Sequence, residues 1–322
     1  MKHTTILSSC LLLALSAAVA FGGETAKTYK TFREANDAVR KLQDQKDYEQ
    51  ALKTCDIALS LATKPGEKRD ALARKGEVYL SKGKSLPAAE TNFLAAAAVK
   101  DLPGNLRAQT LQRLLSQCYR KQGKAGFEKG TNLLVTALAD PAMSNAWGRA
   151  SLVRDLAWLY FDNWEIDAAK KCLAEEAKKT NLSTQHDEMV ASDQAKIFYK
   201  LYDLDNALKA YLANARNKKF NAGTRLWAFR SVVEILGLRN RNDEAIQIGK
   251  SLYGDETMKG QKNDISWEVA KVYLAKGDYQ GARSYVQSLA DPFSFICEII
   301  FDIQGLALLF LAQLLLVLAL FH

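Results

Sequence analysis

Cationic and aromatic residues recur together at helical spacing along this chain of 322 residues. Arg113, Gln117 and Arg120 stand at i, i+4 and i+7, and Arg154 precedes Trp158 by one turn. Lys196 with Tyr199 and Lys200, Trp227 with Arg230, and Trp267 with Lys271 repeat the combination further on. Residues at such spacings share one face of a helix, so each set can present a guanidinium or ammonium group beside a ring. That chemistry suits acidic or carboxylate-terminated peptides: arginine forks grip carboxylates in pairs, and tryptophan or tyrosine adds contact area at little entropic cost. Trp158, Trp227 and Trp267 also fit a second use, as filling between helices.

Signals for covalent or metal chemistry are missing. Beyond residue 20 the histidines are His186 and His322, too few for H-E-x-x-H or a histidine metal pair. They also leave little basis for a Ser-His-Asp arrangement. No G-x-x-x-x-G-K-S/T or G-x-G-x-x-G phosphate loop is present, so no cofactor is expected. His186-Asp187-Glu188 reads as a solvated connector, and Glu175-Glu176 as exposed carboxylates on a lysine-rich helix. Asn181-Leu182-Ser183 is a glycosylation sequon only in a eukaryotic source. Cys55, Cys118, Cys172 and Cys297 are widely spaced, with no C-x-x-C; the first three fall in apolar helical patterns, as small hydrophobes do.

The elements that position these sets follow from a repeat between residues 32 and 290. A small residue is followed three positions later by an aromatic or Leu, and nine positions after that by Ala. Gly76, Tyr79 and Ala88 form one copy, and Ala157, Tyr160 and Ala169 another. Ala195, Phe198 and Ala207 follow, then Ala270, Tyr273 and Ala282. Val39, Leu42 and Ala51, and Val233, Leu236 and Ala245, are looser copies, while Ser116 and Tyr119 meet Glu128 where Ala is expected. The small residue and the ring make a notch and a knob on a first helix, a break follows at Gly83, Gly123 or Gly277, and Ala lets a second helix approach closely. Pro65, Pro103, Pro141 and Pro292 each stop a second helix. Each unit is thus an antiparallel helical hairpin, and stacked hairpins build a continuous core. Alternating runs bounded by hairpin turns, the mark of β-structure, are absent.

The pattern resembles the tetratricopeptide repeat family, best in Ala270-Lys271-Val272-Tyr273 with Gly277, Tyr279 and Ala282, and nearly as well in Gly76-Glu77-Val78-Tyr79 with Gly83 and Ala88. It departs in period and in the second-helix aromatic, which becomes Cys55, Leu173, Gly249 or Val286, with Tyr211 retained. The resemblance implies an all-α, right-handed α-solenoid of about seven helix-turn-helix repeats over residues 21–292. It also implies that first helices line a concave face, which here would be basic and aromatic.

Outside the repeats, residues 1–20 read as a secretory signal peptide, with Lys2 at the head and an Ala18-Val19-Ala20 cleavage site. Residues 293–322 carry two charges, Glu298 and Asp302, and Gly305 to Phe321 carry none. A membrane anchor, a helix on the last repeat, a removable lipid-anchor signal and a tail foreign to the repeats all fit this segment. The net charge of +8 is compatible with acidic partners, and an exported chain meets little nucleic acid, so none is expected as ligand. The expectation is an exported scaffold in a cell envelope or periplasm, holding a protein or peptide partner and doing no chemistry of its own. The alternative is an envelope-polymer enzyme or accessory with a diverged site in a helical superhelix.

Overall fold

The repeat shows itself first in how the helices end. The computed structural model describes residues 28–83, 85–143, 146–179 and 183–286. The leader, Pro292, Cys297 and the apolar tail lie outside the described residues, as do Asn181 and Leu182. Fourteen α-helices, and no strand, are formed by the described residues. They are α1 (Phe32–Asp44), α2 (Tyr48–Leu61), α3 (Pro65–Gly83), α4 (Leu86–Ala97), α5 (Gly104–Gln117), α6 (Gly123–Ala139), α7 (Ala146–Asp162), α8 (Ile166–Ala177), α9 (Thr184–Lys200), α10 (Leu204–Arg216), α11 (Ala222–Leu238), α12 (Asn242–Tyr253), α13 (Lys262–Ala275) and α14 (Tyr279–Val286).

Five hairpins share one turn: α1/α2, α7/α8, α9/α10, α11/α12 and α13/α14. Three residues part the two helices, and the middle one is left-handed: Lys46 at φ 63°, Trp164 at 64°, Tyr202 at 57°, Asn240 at 55° and Gly277 at 75°. The third residue's amide donates back to the carbonyl of the aromatic or Leu anchor. Asp47 reaches Leu42, Glu165 reaches Tyr160, Asp203 reaches Phe198, Arg241 reaches Leu236 and Asp278 reaches Tyr273, all at 2.9 to 3.0 Å. This six-residue closure satisfies carbonyls that a helix end leaves open. Asp47, Asp203 and Asp278 then cap the second helix, accepting from the amides of Gln50, Asn206 and Gly281. Glycine or asparagine takes the left-handed position at least strain; a bulky side chain there costs about 1 kcal/mol.

The α3/α4 turn is one residue longer, since the Ser85 amide reaches the Tyr79 carbonyl, at 3.2 Å, across six positions instead of five. The extra residue shifts the register of α4 by one position. Ala89 is consequently the fully buried small residue, and Ala88, expected there, is half-buried. Gly76 keeps its notch: a Cβ on it would lie 3.1 Å from the Phe93 ring and 3.3 Å from the Ala89 carbonyl oxygen. Elsewhere the register holds, with Ala157, Ala169, Ala207, Ala245, Ala270 and Ala282 all at most 2% exposed. Tyr79, Tyr160, Phe198 and Tyr273 are half-buried beside them. Pro65 and Pro141 open the next helical segment as well as ending the last one.

The described helices divide into two compact units, with the boundary between Cys118 and Tyr119, inside the third repeat. In the first unit α2 packs on α3, α4 on α5, and α1 touches α3. Val39, Ala51, Cys55 and Val78 meet in its interior. In the second unit α7 packs on α9, α8 on α9, α10 on α11, and both α11 and α12 on α13. Ala195, Tyr211, Phe229, Leu236 and Val269 form part of one core there. Each hairpin thus buries its apolar face against the next, the construction of a tetratricopeptide-like helical array. Tyr119, expected on a first helix, is buried in the 3-10 segment Tyr119–Lys121. Gly126 supplies the close approach missing at the exposed Glu128, because a Cβ on Gly126 would lie 1.9 Å from the Tyr119 carbonyl oxygen.

Candidate functional site

Lys196, Tyr199 and Lys200 on α9, Tyr211 on α10, and Trp227, Arg230, Ser231 and Glu234 on α11 line a cleft of about 310 Å³ in the second unit. The rings meet edge to face: Tyr199 and Tyr211 at 6.4 Å between centroids, Tyr211 and Trp227 at 5.5 Å. Tyr211 is buried by the α10/α11 packing, whereas Trp227 stays 37% exposed. Lys196 Nζ stands 4.7 Å over the Trp227 ring, a cation–π contact. Tyr199 Oη donates to Glu234 Oε1 at 2.5 Å, which pushes the phenol up to about 12, with burial adding to it. Burial first of all pushes Tyr211 to about 12 too, so both phenols stay protonated. The cleft offers rings, hydroxyls and two lysines that lie over rings, against one carboxylate.

The other expected sets sit against acids of this chain. Arg113 Nη1 donates to Glu77 Oε1 at 2.9 Å, and Arg120 Nη2 lies 3.9 Å from Asp155 Oδ1. Arg230 spans Glu268 at 3.0 Å and Asp264 at 2.8 Å, and Lys271 Nζ lies 3.6 Å from the same Glu268. Lys271 Nζ also stands 5.2 Å over Trp267, and Lys200 Nζ 5.9 Å over Trp158. The helical face proposed for Arg113, Gln117 and Arg120 is interrupted, because α5 ends at Gln117 and Arg120 belongs to the 3-10 segment and to the other unit. The Gln117 Oε1 is buried without a hydrogen-bond partner. Lys196 and, after it, Arg154 help to offset the charge of Asp193, a carboxylate 3% exposed that accepts from Trp158 Nε1 at 3.2 Å. Burial pushes the Asp193 carboxyl up, and its second oxygen has no partner.

These partners have a rule that residue patterns on one helix do not reveal. Arg113 and Glu77 are 36 positions apart, Trp158 and Asp193 35, Tyr199 and Glu234 35, and Arg230 and Glu268 38. Each is close to one repeat. Glu234 carried a nearer signal as well, being one turn beyond Arg230 on the same helix, and Tyr211 was legible as the retained second-helix aromatic.

His186 corrects the connector expectation. Ser183 Oγ accepts from the His186 amide and starts α9 there, so the imidazole falls in the first turn, 1% exposed. Its Nε2 lies 3.0 Å from Glu176 Oε1, and Arg149 holds the same carboxylate at 2.6 and 3.1 Å. Glu176, 4% exposed, is therefore buried and not solvated. Burial alone would raise its pKa, but the hydrogen bonds from His186, Arg149 and Lys179 outweigh that and hold it well below the usual range. Arg149 Nη1 also donates to the Leu138 carbonyl at 2.8 Å, and two repeats later Arg225 Nε donates to the Ala215 carbonyl at 2.9 Å. The half-buried Arg149 and the buried Arg225 each satisfy the open end of the preceding helix and are structural. Burial pushes the Cys55 thiol up to about 12 and the Cys172 thiol to about 11, in keeping with their packing role. Among the described residues no cluster of His, Cys, Asp and Glu is set to hold a metal ion, and no helix is long and apolar enough to cross a membrane.

No protein-family model matches the chain, and no curated protein matches it. Among solved structures, a tetratricopeptide repeat protein from Parabacteroides merdae is 14% identical, with 84% of this chain and 97% of that one covered and a TM-score of 0.40. BtubC (BKLC) from P. vanneervenii is 13% identical over 80% of this chain and 89% of its own, with a TM-score of 0.36. The assembly chaperone of RpL4 (Acl4), residues 1–338, is 15% identical over 79% and 99%, with a TM-score of 0.31. At TM-scores of 0.40 and below, it is the chain's own recurring turn and hairpin packing that establish its helical-repeat construction.

Proposed function

We propose that this chain is an exported repeat scaffold, with no chemistry of its own, whose α9/α10/α11 cleft binds an acidic or carboxylate-bearing peptide segment of a partner protein. The cleft carries this reading: it gathers Lys196, Tyr199, Lys200, Trp227 and Arg230, five of the residues chosen from sequence, around one opening. Lys196 and Lys200 rest on rings, so a ligand carboxylate can meet them without first breaking an ion pair between them and the chain. Arg230, 45% exposed, pairs with the exposed Asp264, a surface contact that contributes little and can be exchanged, while Glu268 holds its Nε from a buried position. The Lys-led apolar residues 1–20 support the envelope setting.

The test is fluorescence anisotropy of labelled Asp/Glu-rich decapeptides, with free and amidated C-termini, titrated with the full chain. Binding should weaken with salt and at least tenfold in a Lys196→Glu/Lys200→Glu variant of unchanged circular dichroism. Equal affinity of that variant for the acidic peptides rejects the cleft as their site.

A further inference from the structure

The four most exposed large apolar side chains among the described residues are Tyr202 at 87%, Trp164 at 84%, Tyr279 at 69% and Leu238 at 66%. One comes from each hairpin of the second unit, at or beside its turn. Trp164 and Tyr202 hold the left-handed position itself, where Asn240 and Gly277 stand in the next two hairpins. A ring there is strained and, at these exposures, packs on almost nothing, so neither local conformation nor the core accounts for it.

The surroundings say what such rings could meet. Asp162, Glu165 and Asp167 flank Trp164, and Asp203 and Asp205 flank Tyr202. The neighbouring cations are engaged: Lys170 stands over the Phe198 ring and acts on Asp203, Lys200 stands over Trp158, and Arg239 pairs with Asp205 at 2.6 Å. In the later hairpins a cation in the first turn position pairs with an acid on the preceding second helix, Arg239 with Asp205 and Lys276 with Asp243. Between the α7/α8 and α9/α10 hairpins that rung is absent, because Leu201 stands where the cation would be and Asp167 where the acid is. Rings and an excess of carboxylates coincide at this one stretch of edge. An anionic lipid surface would be repelled there, whereas lysine or arginine side chains can stack on the rings and meet the acids.

We propose that the turn edge of the α7/α8 and α9/α10 hairpins is a docking surface for a basic segment of a partner protein, with Trp164 and Tyr202 as its aromatic contacts. The surface is distinct from the cleft and does not depend on it. The test uses the full chain and labelled decapeptides of Lys and Arg alternating with Leu, with phosphatidylcholine vesicles, with and without phosphatidylglycerol, as the second probe. A Trp164→Asn/Tyr202→Asn variant places at both turns the residue already found at 240, so its Tm should be unchanged or higher while basic-peptide affinity falls at least tenfold. Asp162→Asn/Glu165→Gln/Asp167→Asn should weaken the same peptides and flatten their salt dependence, and Lys196→Glu/Lys200→Glu should not weaken them. Unaltered affinity of the turn variant, no binding of basic peptides, or vesicle binding that is lost in the turn variant would each overturn the proposal.

Discussion

Asp193 shows how a single residue sets the character of the face between the first helices. It is a carboxylate inside a stretch chosen for its cations, and burial raises its pKa while only one oxygen is hydrogen-bonded. A raised carboxyl favours the protonated fold, so this group opposes folding above its folded pKa and the penalty fades as pH falls through that value. Asp193→Asn keeps the acceptor for Trp158 and removes the buried charge. The variant should melt a few degrees higher at pH 7, with the gain shrinking on acidification; a lower Tm at pH 7 would contradict the assignment. The sequence made the cations of this face visible through their spacing on one helix. It hid Asp193, Glu77 and Glu268, because pairing between helices depends on which neighbour each face meets. The burial of His186 is hidden for a related reason: its polar neighbours suggest solvent, and only the Ser183 cap sets the helix start that buries it.

Among the elements, the hairpin turn is the part most fully written in local sequence and the part most easily misjudged. The anchors Leu42, Tyr160, Phe198, Leu236 and Tyr273 could be found from their period, and their carbonyls prove to close the turn. The left-handed centre could be anticipated at Gly277, but Lys46, Trp164 and Tyr202 give no such sign, because the backbone bond that closes the turn sets the conformation whichever side chain stands there. The single-residue slip between Ala88 and Ala89 was equally hidden, since both are alanine and both satisfy a small-residue pattern. Capping distinguishes otherwise similar turns. Asp47 accepts from the Gln50 amide, whereas Glu165 makes no side-chain cap bond. Asp47→Ala should therefore cost about 1 kcal/mol in the first unit, and Glu165→Ala should leave the unfolding midpoint nearly unchanged, both read by urea denaturation.

For the whole molecule, the repeat makes stability a matter of neighbours. Gly249 occupies a second-helix position where the family pattern has an aromatic, and Phe229 and Val269 fill that space from α11 and α13. A Cβ at Gly249 would come within 2.2 Å of Val269 Cγ2. Gly249→Ala should cost about 2 kcal/mol and lower hydrogen-exchange protection in α11 to α13, while protection in α1 to α4 stays as it was. An equal loss in α1 to α4 would show that the two units unfold together.

The hairpin turn has one more consequence. Because each of the five common turns closes on a carbonyl of its own first helix, a copied hairpin carries its closure with it, and the array can lengthen by duplication without a new joint being invented. What a copy does not carry is its counter-charge, which belongs to the repeat before or after it. A chain grown in this way would keep its shape from within each hairpin and its order from the charges between them, so a repeat moved out of turn would fold but meet the wrong neighbour.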